Sequence, residues 1–237
     1  MVGSLALVGS GEYLPEMFVL EAMLLDDARQ HGKKPMLVQL PTAAGLESKE
    51  RLRYWEQLGQ KQADRLGVES VFLPVFNRSD ADNPEFARQI DNAALIYLSG
   101  GNPSHLAESL RGTLVGKRLY ENWQEGSSIA GCSAGAMALC SKVVGFRLVT
   151  SEGVQGLGFV SNMQVLPHFD RYFRWVPELA IKKLVRDTKD ATLVGIDELT
   201  ALVKREGAQW QVFGSSMVHL LNHGSSTQYS HNEFVTF

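Results

Sequence analysis

A short glycine-rich segment near the middle of the chain is the feature that most constrains its fold. Residues 131–139 read Gly-Cys-Ser-Ala-Gly-Ala-Met-Ala-Leu, with the strand-compatible residues 127–130 before them and good helix formers at their end. A strand, a tight glycine-flanked turn and a helix form the context in which a G-x-S-x-G pattern has chemical meaning. The pattern predicts that Ser133 occupies the turn as a nucleophile with its hydroxyl exposed.

A chemically inert interpretation of the same segment is a glycine- and alanine-rich turn with an incidental serine. The nucleophile interpretation requires that small residues let the strand and helix backbones approach closely. It also requires that N–H groups at the start of the new helix point toward an oxyanion formed at Ser133. The remaining sequence must therefore supply partner residues for the serine.

Strand-like and helix-like segments alternate through the first 140 residues, which favours a parallel sheet with helices on both faces. The apolar runs are continuous, as in strands that are buried on both sides. The predicted strands are residues 5–8, 36–40, 71–73, 95–98 and 127–130, and the predicted helices are 15–31, 47–66, 84–93, two segments within 103–125 and the elbow helix. We therefore predict an α/β fold with a three-layer, mainly parallel sheet.

The last hundred residues have a different pattern, with one predicted helix at residues 176–186. Residues 192–204, 209–213 and 217–221 are predicted strands, and the last two are interpreted as antiparallel hairpin strands that complete the sheet. Since the sequence contains no linker, repeat or low-complexity run, residues 1–237 are predicted to form a single domain.

Charge and cysteine content narrow the class of function. The net charge is −3 and no long Lys/Arg cluster is present, so we expect no nucleic-acid partner. The N-terminus does not have the pattern of a signal peptide, and no stretch has the length of a transmembrane helix. Cys132 and Cys140 would lie about 12 Å apart along one helix, which is too far for a disulfide. Reduced cysteines and the missing export signal predict a cytoplasmic protein without membrane contact.

Four glycine-rich exits follow predicted strands, at residues 9–11, 41–45 and 100–101 and at the elbow itself. Ligands in parallel sheets bind beyond the carboxyl ends of the strands, so these exits should converge on one site. An oxyanion hole needs two donors, and the N–H of Ala134, directly after the nucleophile, is the first. Gly101 is the natural second donor, because a glycine lets the backbone approach the substrate.

A serine nucleophile needs a base, and the base usually needs an acid that orients it. His168 is the favoured base among the six histidines, because it follows an apolar stretch at a predicted strand exit. Glu152 is the only carboxylate between Ser133 and His168, and serine, acid, histidine is an order that hydrolases use. Glu152 is therefore the predicted acid, with Asp170 and Asp197 as the other candidates.

Four segments together carry a family resemblance. They are Gly-Cys-Ser-Ala-Gly-Ala at 131–136, Ser-Gly-Gly-Asn at 99–102, Gly-Leu-Gly-Phe at 156–159 leading to His-Phe at 168–169, and Gly-Ile-Asp-Glu-Leu-Thr-Ala-Leu at 195–202. In this order they resemble the S51 serine peptidases, the family of dipeptidase E and cyanophycinase, over about residues 4–221. The resemblance implies a class I glutamine amidotransferase-like (flavodoxin-like) fold with antiparallel strands near the C-terminus, and serine in place of the cysteine nucleophile.

The resemblance also implies roles for individual residues. It supports Ser133 as nucleophile, His168 as base, and the N–H groups of the two strand exits as oxyanion donors. The family favours acidic, aspartyl-containing substrates, and the Pro-His-Phe segment around His168 is more similar to the dipeptidase than to cyanophycinase. Asn102 and Arg171 are therefore expected to contact the substrate, with Arg171 pairing with a carboxylate.

Two further residues, Asp197 and Glu198, match the family, and we expect them to have a structural role. No metal or other cofactor is expected, because no His/Cys cluster offers a ligand set. The resulting hypothesis is a serine peptidase that cleaves small aspartyl or isoaspartyl-type peptides through an acyl-enzyme on Ser133.

Two alternatives stay open at this point. The first is an esterase of the α/β-hydrolase type, which the topology of the sheet would distinguish. The second is a non-catalytic binding or regulatory protein on an amidotransferase-like scaffold, which a failure of Ser133 to react with serine-directed reagents would favour. A homodimer is one candidate assembly.

Overall fold

The computed structural model describes residues 1–144, 154–172, 185, 191–222 and 226–237. Its strands are β1 (Leu5–Val8), β2 (Lys34–Leu40), β3 (Glu69–Phe72), β4 (Ala93–Leu98), β5 (Ser128–Cys132), β6 (Met163–Pro167), β7 (Thr192–Ile196), β8 (Thr200–Lys204), β9 (Trp210–Gly214), β10 (Val218–Leu221), β11 (Ser226–Tyr229) and β12 (Phe234–Val235). Its helices are α1 (Phe18–Gln30), α2 (Lys49–Leu66), α3 (Arg78–Ala81), α4 (Pro84–Gln89), α5 (Pro103–Leu110), α6 (Leu114–Gln124), α7 (Ala134–Leu139) and α8 (Phe169–Tyr172), with 3-10 turns at Pro15–Met17 and Thr42–Ala44.

The larger sheet is parallel in the part that carries the elbow. Its strand order is β12-β9-β8-β1-β5-β4-β2-β3. The strands from β1 to β3 in this order run parallel, whereas β8, β9 and β12 are antiparallel additions on the other side of β1. The predicted mainly parallel α/β sheet with antiparallel strands near the C-terminus is confirmed.

Apolar side chains fill a separate core on each face of this sheet, because successive strand residues point to opposite faces. In β1, Leu5 and Leu7 belong to the core under α4, α5, α6 and α7, whereas Ala6 and Val8 belong to the core under α1 and α2. All four side chains are at most 2% exposed. Burial on both faces explains the continuous apolar runs and confirms the three-layer arrangement.

A second sheet, with the order β11-β10-β7-β6, was not predicted. The prediction of residues 192–204 as one strand is wrong, because the chain turns at residues 197–199 and passes from β7 in the smaller sheet to β8 in the larger one. Residues 217–221 do not complete the main sheet, since β10 pairs with β7. Periodicity alone cannot detect a turn between two buried strands that both have apolar sequences.

The ends of the elements follow local capping chemistry. Helix α2 begins after Ser48, whose side chain accepts the N–H of Arg51, and it ends at Gly67 in a left-handed conformation with φ of 66°. The helix predicted for residues 84–93 ends earlier, at Gln89, and the chain turns through Asn92, which has φ of 61°, before β4 begins at Ala93. The helix predicted for residues 176–186 lies outside the described residues except for residue 185.

Both cysteines, Cys132 and Cys140, are buried free thiols, as expected. Burial raises the pKa of Cys140 to about 12, so that thiol stays protonated at neutral pH. None of the helices in the described part of the chain has both the length and the apolar character that a membrane crossing requires.

Candidate active site

The predicted elbow is present at the carboxyl end of β5. Since β5 ends at Cys132 and α7 begins at Ala134, Ser133 alone forms the turn. Ser133 has φ of 50° and ψ of −106°, a conformation that residues other than glycine rarely adopt. Its N–H donates to the Val8 carbonyl at 2.9 Å, which ties the strained turn to the neighbouring strand β1. Such strain persists only where the surrounding structure holds it, as at functional sites.

The close approach of strand and helix requires glycine at two positions. A Cβ atom on Gly131 would lie 2.5 Å from the carbonyl carbon of Gly135, and one on Gly135 would lie 2.3 Å from the carbonyl oxygen of Leu98. Both distances are below any ordinary carbon contact, so a larger residue would push α7 away from the sheet. The predicted close packing at the elbow is confirmed.

His168 lies directly after β6, at the carboxyl end of a strand in the smaller sheet. Its Nε2 is 3.0 Å from the Oγ of Ser133, although the two residues are 35 positions apart in sequence. The ring is therefore within hydrogen-bond distance of the hydroxyl, which is the contact that the sequence predicts. His168 itself has φ of 49° and directly precedes α8, and its carbonyl accepts the N–H groups of Arg171 and Tyr172 in that helix.

Glu198 lies at the other nitrogen of the same ring. Its Oε1 is 2.8 Å from Nδ1 of His168, and the residue comes from the turn between β7 and β8. The three groups are satisfied together when His168 carries its proton on Nδ1, donates it to Glu198 and accepts the Ser133 hydroxyl at Nε2. The hydrogen bond from His168 is the main cause that lowers the pKa of Glu198, so this group is a carboxylate at neutral pH.

Two residues that follow His168 support Glu198. The Oδ1 of Asp170 accepts the N–H of Glu198 at 3.1 Å, and the guanidinium of Arg171 lies 3.5 Å from the Glu198 carboxylate. Asp170, one of the candidate acids, therefore binds the main chain of Glu198 rather than the histidine ring. The side chains of His168 and Glu198 are 22% and 34% exposed, so the hydrogen-bonded series Ser133–His168–Glu198 is accessible to a ligand.

The acid predicted from the sequence, Glu152, lies outside the described residues. Among those described, the carboxylate at Nδ1 of His168 is Glu198, a residue expected to be structural. One signal could have pointed to it, because the Asp-Glu pair at residues 197–198 interrupts an otherwise apolar run. Charged residues inside such a run indicate a turn, and a turn after a strand is a common place for a functional side chain.

The two predicted oxyanion donors lie at the exits of the neighbouring strands β5 and β4. Ala134 is the first residue of α7, so its N–H has no acceptor within the helix. Gly101 has φ of 140°, and a Cβ atom there would lie 2.4 Å from the carbonyl oxygen of Ala43. The exit of β4 is close to the nucleophile, since a Cβ atom on Gly100 would lie 3.5 Å from Cβ of Ser133. The donor roles of Gly101 and Ala134 stay predictions.

Both predicted substrate contacts, Asn102 and Arg171, are exposed residues. The Oδ1 of Asn102 accepts the N–H of His105 at 3.0 Å and caps α5, a contact that does not occupy its amide nitrogen. The side chain of Arg171 is 66% exposed beside Glu198, and its guanidinium lies 5.8 Å from the centre of the Tyr172 ring. An exposed cation thus lies beside the carboxylate that contacts His168.

A second histidine–carboxylate pair is built from the residue that precedes Glu198. The Oδ1 of Asp197 is 3.0 Å from Nε2 of His219, and its Oδ2 accepts the Ser216 hydroxyl and the Met217 N–H at 2.8 and 3.1 Å. The side chains of Asp197 and His219 are only 5% and 10% exposed. Among the described residues, no group of three or more His, Cys, Asp or Glu side chains is arranged to hold a metal ion.

Comparisons with known sequences relate the chain to one family. The profile of peptidase family S51 matches residues 5–211. The uncharacterized peptidase YgaJ of Bacillus subtilis (strain 168) is 25% identical over 156 residues, which are 66% of this chain and 63% of that protein. The cyanophycinase of Synechococcus elongatus is 27% identical over 182 residues, which are 70% of this chain and 54% of that protein. The chain therefore spans less than two-thirds of the length of these curated relatives.

Two solved structures are similar over nearly the whole chain. A peptidase from an acI-B1 Actinobacterium is 51% identical, with a TM-score of 0.93 and coverage of 100% of this chain and 98% of that one. A putative peptidase E protein from Listeria monocytogenes EGD-e is 20% identical, with a TM-score of 0.66 and coverage of 91% and 100%, and it supports the fold alone. Since proteins similar to peptidase E have the class I glutamine amidotransferase-like fold, the predicted fold class is confirmed.

Proposed function

The chain belongs to peptidase family S51, and from that premise we propose that it is a serine peptidase acting on small aspartyl or isoaspartyl-type peptides. The observation that carries the proposal is the series of hydrogen-bond contacts from Ser133 through His168 to Glu198. A hydroxyl, an imidazole and a carboxylate in this order form the arrangement that activates a serine for nucleophilic attack.

The first half of the proposed reaction forms an acyl-enzyme. The Oγ of Ser133 attacks the carbonyl carbon of the scissile amide while Nε2 of His168 takes the hydroxyl proton. The carbonyl electron pair moves onto the oxygen, where the N–H groups of Gly101 and Ala134 stabilise the negative charge. His168 then gives the proton to the amine as the C–N bond breaks.

The second half returns the enzyme to its starting state. His168 takes a proton from a water molecule, and the oxygen of that water attacks the acyl carbon. The bond between that carbon and the Ser133 oxygen breaks, and the serine recovers a proton from His168 as the acid leaves. His168 therefore accepts and gives a proton once in each half, which requires a neutral ring with a free Nε2 at the start.

We assign the role of the orienting acid to Glu198 in place of Glu152. Its carboxylate keeps the proton of His168 on Nδ1, so Nε2 is available to Ser133. It also balances the positive charge that the ring carries after it has taken the serine proton. The contact of 2.8 Å between Glu198 and His168 supports this assignment.

The positive charge of Arg171, next to the series Ser133–His168–Glu198, supports an acidic substrate. Arg171 presents a guanidinium that is 66% exposed next to Glu198, and a substrate carboxylate would form a charge-assisted hydrogen bond with it. The amide nitrogen of Asn102 would supply a second donor at the exit of β4. The buried free thiols support a reducing compartment, so a cytoplasmic location belongs to the same proposal.

The α/β-hydrolase alternative does not agree with the fold. The larger sheet places β1 between β5 and β8, and the chain shares its fold with proteins of the peptidase E type. The non-catalytic alternative is an outcome of the experiment below. A scaffold without activity would need no aligned serine, histidine and carboxylate, so their alignment favours the enzyme.

The proposal is tested with a library of dipeptides that carry Asp, isoAsp, Asn, Glu or Ala at either position. We expect the wild-type protein to release amino acids from Asp or isoAsp peptides faster than from their Asn counterparts. Ser133→Ala should lower this rate by about a thousandfold or more, because it removes the nucleophile. A fluorophosphonate should label only Ser133 of the wild type. If the wild-type protein shows neither labelling nor turnover, the result favours the non-catalytic scaffold.

A further inference from the structure

A buried glutamate connects the two strand exits that surround the nucleophile. Glu12 lies in the loop between β1 and α1, and it is only 7% exposed. Its Oε1 accepts the N–H of Gly100 at 2.9 Å, and its Oε2 accepts the thiol hydrogen of Cys132 at 2.9 Å. Gly100 precedes Gly101 at the exit of β4, and Cys132 precedes Ser133 at the end of β5. One carboxylate therefore bridges the two exits.

The loop that carries Glu12 is held in place from both sides. Tyr13 has φ of 63°, its N–H donates to Glu21 at 3.3 Å, and its hydroxyl is 3.0 Å from the hydroxyl of Ser99. The amide of Gln62 in α2 donates to the other carboxylate oxygen of Glu21. Because a left-handed conformation at a tyrosine costs energy, these contacts have to hold it in place. Glu12 consequently has little freedom to move away from its two partners.

Glu12 lies near the reacting atoms but is buried at 7% exposure. A Cβ atom on Gly100 would lie 2.9 Å from the Glu12 Oε1 and 3.5 Å from Cβ of Ser133, so the carboxylate is close to the nucleophile. Burial is the main cause that raises the pKa of the Cys132 thiol well above its usual value, so the thiol keeps the hydrogen that it donates. Both oxygens of Glu12 are thus occupied by protein donors.

We propose that Glu12 is a positioning residue that sets the spacing of the oxyanion hole. The inference rests on the proposed function, because it assumes that the N–H groups of Gly101 and Ala134 receive the oxyanion. The bond to Gly100 orients the peptide that leads to Gly101, and the bond to Cys132 holds the strand end that leads to Ser133 and Ala134. Donors that are aligned before the reaction stabilise the oxyanion without reorganisation.

The replacement Glu12→Gln tests this role. An uncharged amide offers one acceptor oxygen in place of two, so it can replace the bond to Cys132 only by a weak N–H contact to sulfur, and both contacts lose the assistance of the negative charge. Because a small displacement of an oxyanion donor affects the transition state more than the bound substrate, we expect kcat to fall by about 10- to 100-fold and KM to change by less than about twofold. A purely structural role would change the melting temperature without this separation of kcat from KM.

A peptide aldehyde based on the best library substrate measures the oxyanion hole directly. When Ser133 adds to the aldehyde, the Oγ–C bond forms, the carbonyl π electrons move to the oxygen, and the serine proton passes to His168. The adduct therefore needs the same two N–H donors as the tetrahedral intermediate. Glu12→Gln should weaken inhibition by the aldehyde by the same factor as it lowers kcat/KM.

Glu16→Gln is the matched control, because this substitution makes the same chemical change at an exposed position of the same loop region. We expect wild-type kcat and wild-type aldehyde affinity for this control. If Glu12→Gln is as active as Glu16→Gln, the inference is overturned. If Glu12→Gln does not fold, Cys132→Ala and Cys132→Ser carry the test. A loss of kcat in the alanine variant that serine restores supports the bridge, because serine keeps a donor, and equal kcat in the two variants overturns it.

The outcomes separate this inference from the proposed function. A wild-type protein with neither turnover nor labelling of Ser133 would overturn both. An active wild type, an inactive Ser133→Ala variant and an unchanged Glu12→Gln variant would leave the peptidase proposal intact and overturn only the role of Glu12.

Discussion

Asp197 and Glu198 are adjacent carboxylates that both contact a histidine ring, yet they lie in different surroundings. The oxygen–nitrogen distances are similar, at 3.0 Å for Asp197 with His219 and 2.8 Å for Glu198 with His168. The Asp197 side chain is 5% exposed and the Glu198 side chain is 34% exposed. Residue type and distance therefore do not separate a structural pair from a candidate catalytic pair.

The two histidine–carboxylate pairs differ in what each histidine ring contacts besides its carboxylate. The ring of His168 has the Ser133 hydroxyl at its second nitrogen, whereas the ring of His219 packs against Phe169 with 4.5 Å between the ring centres. Asp197 also accepts hydrogen bonds from the Ser216 hydroxyl and from the N–H of Met217, the residue before β10. The buried pair joins the turn at residues 197–199 to β10, and we infer that it supports the position of Glu198.

The largest effect is expected for Glu198→Gln. Glutamine keeps the volume but loses the negative charge, so the tautomer and the charge of His168 are no longer supported. We expect kcat to fall by about 10³- to 10⁴-fold, with a small change in the free energy of unfolding, since the side chain is partly exposed. Steady-state kinetics and urea denaturation measure the two quantities.

The matched control for this variant is Glu152→Gln, which makes the same change at the acid predicted from the sequence. We expect its kcat to stay close to that of the wild type. A large loss in Glu152→Gln together with normal turnover in Glu198→Gln would reverse the assignment of the acid.

A smaller effect, mainly on stability, is expected for Asp197→Asn. Asparagine keeps one acceptor oxygen for His219, but its NH2 group replaces the oxygen that accepts the Ser216 hydroxyl and the Met217 N–H, and leaving a buried donor unsatisfied commonly costs about 1–3 kcal/mol. Urea denaturation should show this loss, while kcat of the folded variant should fall far less than in Glu198→Gln. Wild-type stability combined with a thousandfold loss of kcat would show that the two pairs do not have separate roles.

The smallest effect is expected in the dependence of stability on pH. Burial by itself would raise the pKa of Asp197, but hydrogen bonds from His219 and Ser216 outweigh burial and lower it below the usual value of 3.8. A carboxyl whose pKa is lower in the folded state stabilises the fold above its unfolded pKa, and this contribution is lost as the pH falls through the folded pKa. The wild type should therefore lose stability below about pH 4.

Urea midpoints between pH 6 and pH 3 measure this dependence. Asp197→Asn should show a shallower loss of stability in acid than the wild type, because the variant has one fewer carboxylate to protonate. Glu198→Gln should show a smaller flattening, since the more exposed Glu198 is better screened by solvent. Identical slopes for the wild type and Asp197→Asn would contradict the assignment of Asp197 to the buried pair.

The elbow around Ser133 could be predicted from the sequence because the residues that determine it are neighbours in the chain. The glycines around Ser133 are required by contacts within the elbow and with the next strand, so a pattern of nine residues contains most of the information. His168 could be placed at a strand exit from the apolar run before it. Its contact with Ser133 across 35 residues is the predicted one, but β6 and β5 lie in different sheets, so the packing of the smaller sheet against the larger one brings the two strand ends together.

The carboxylate that contacts His168 could not be identified by counting carboxylates along the chain. Proximity in sequence favoured Glu152, whereas Glu198 reaches His168 because residues 197–199 turn between two different sheets. Both arms of that turn are apolar strands, and their side chains have the same burial requirement whether they form one strand or two. The second sheet was not predicted for the same reason.

The sequence by itself determined the elbow, the serine at its turn, the parallel α/β sheet and the family resemblance. These depend on local sterics and on burial patterns, which are encoded in neighbouring residues. Only the tertiary structure decided which carboxylate meets His168, which of two adjacent acids is buried, and that Glu12 bridges two strand exits. These contacts depend on where distant segments come together in three dimensions, and side-chain reach across that space cannot be deduced from one-dimensional spacing.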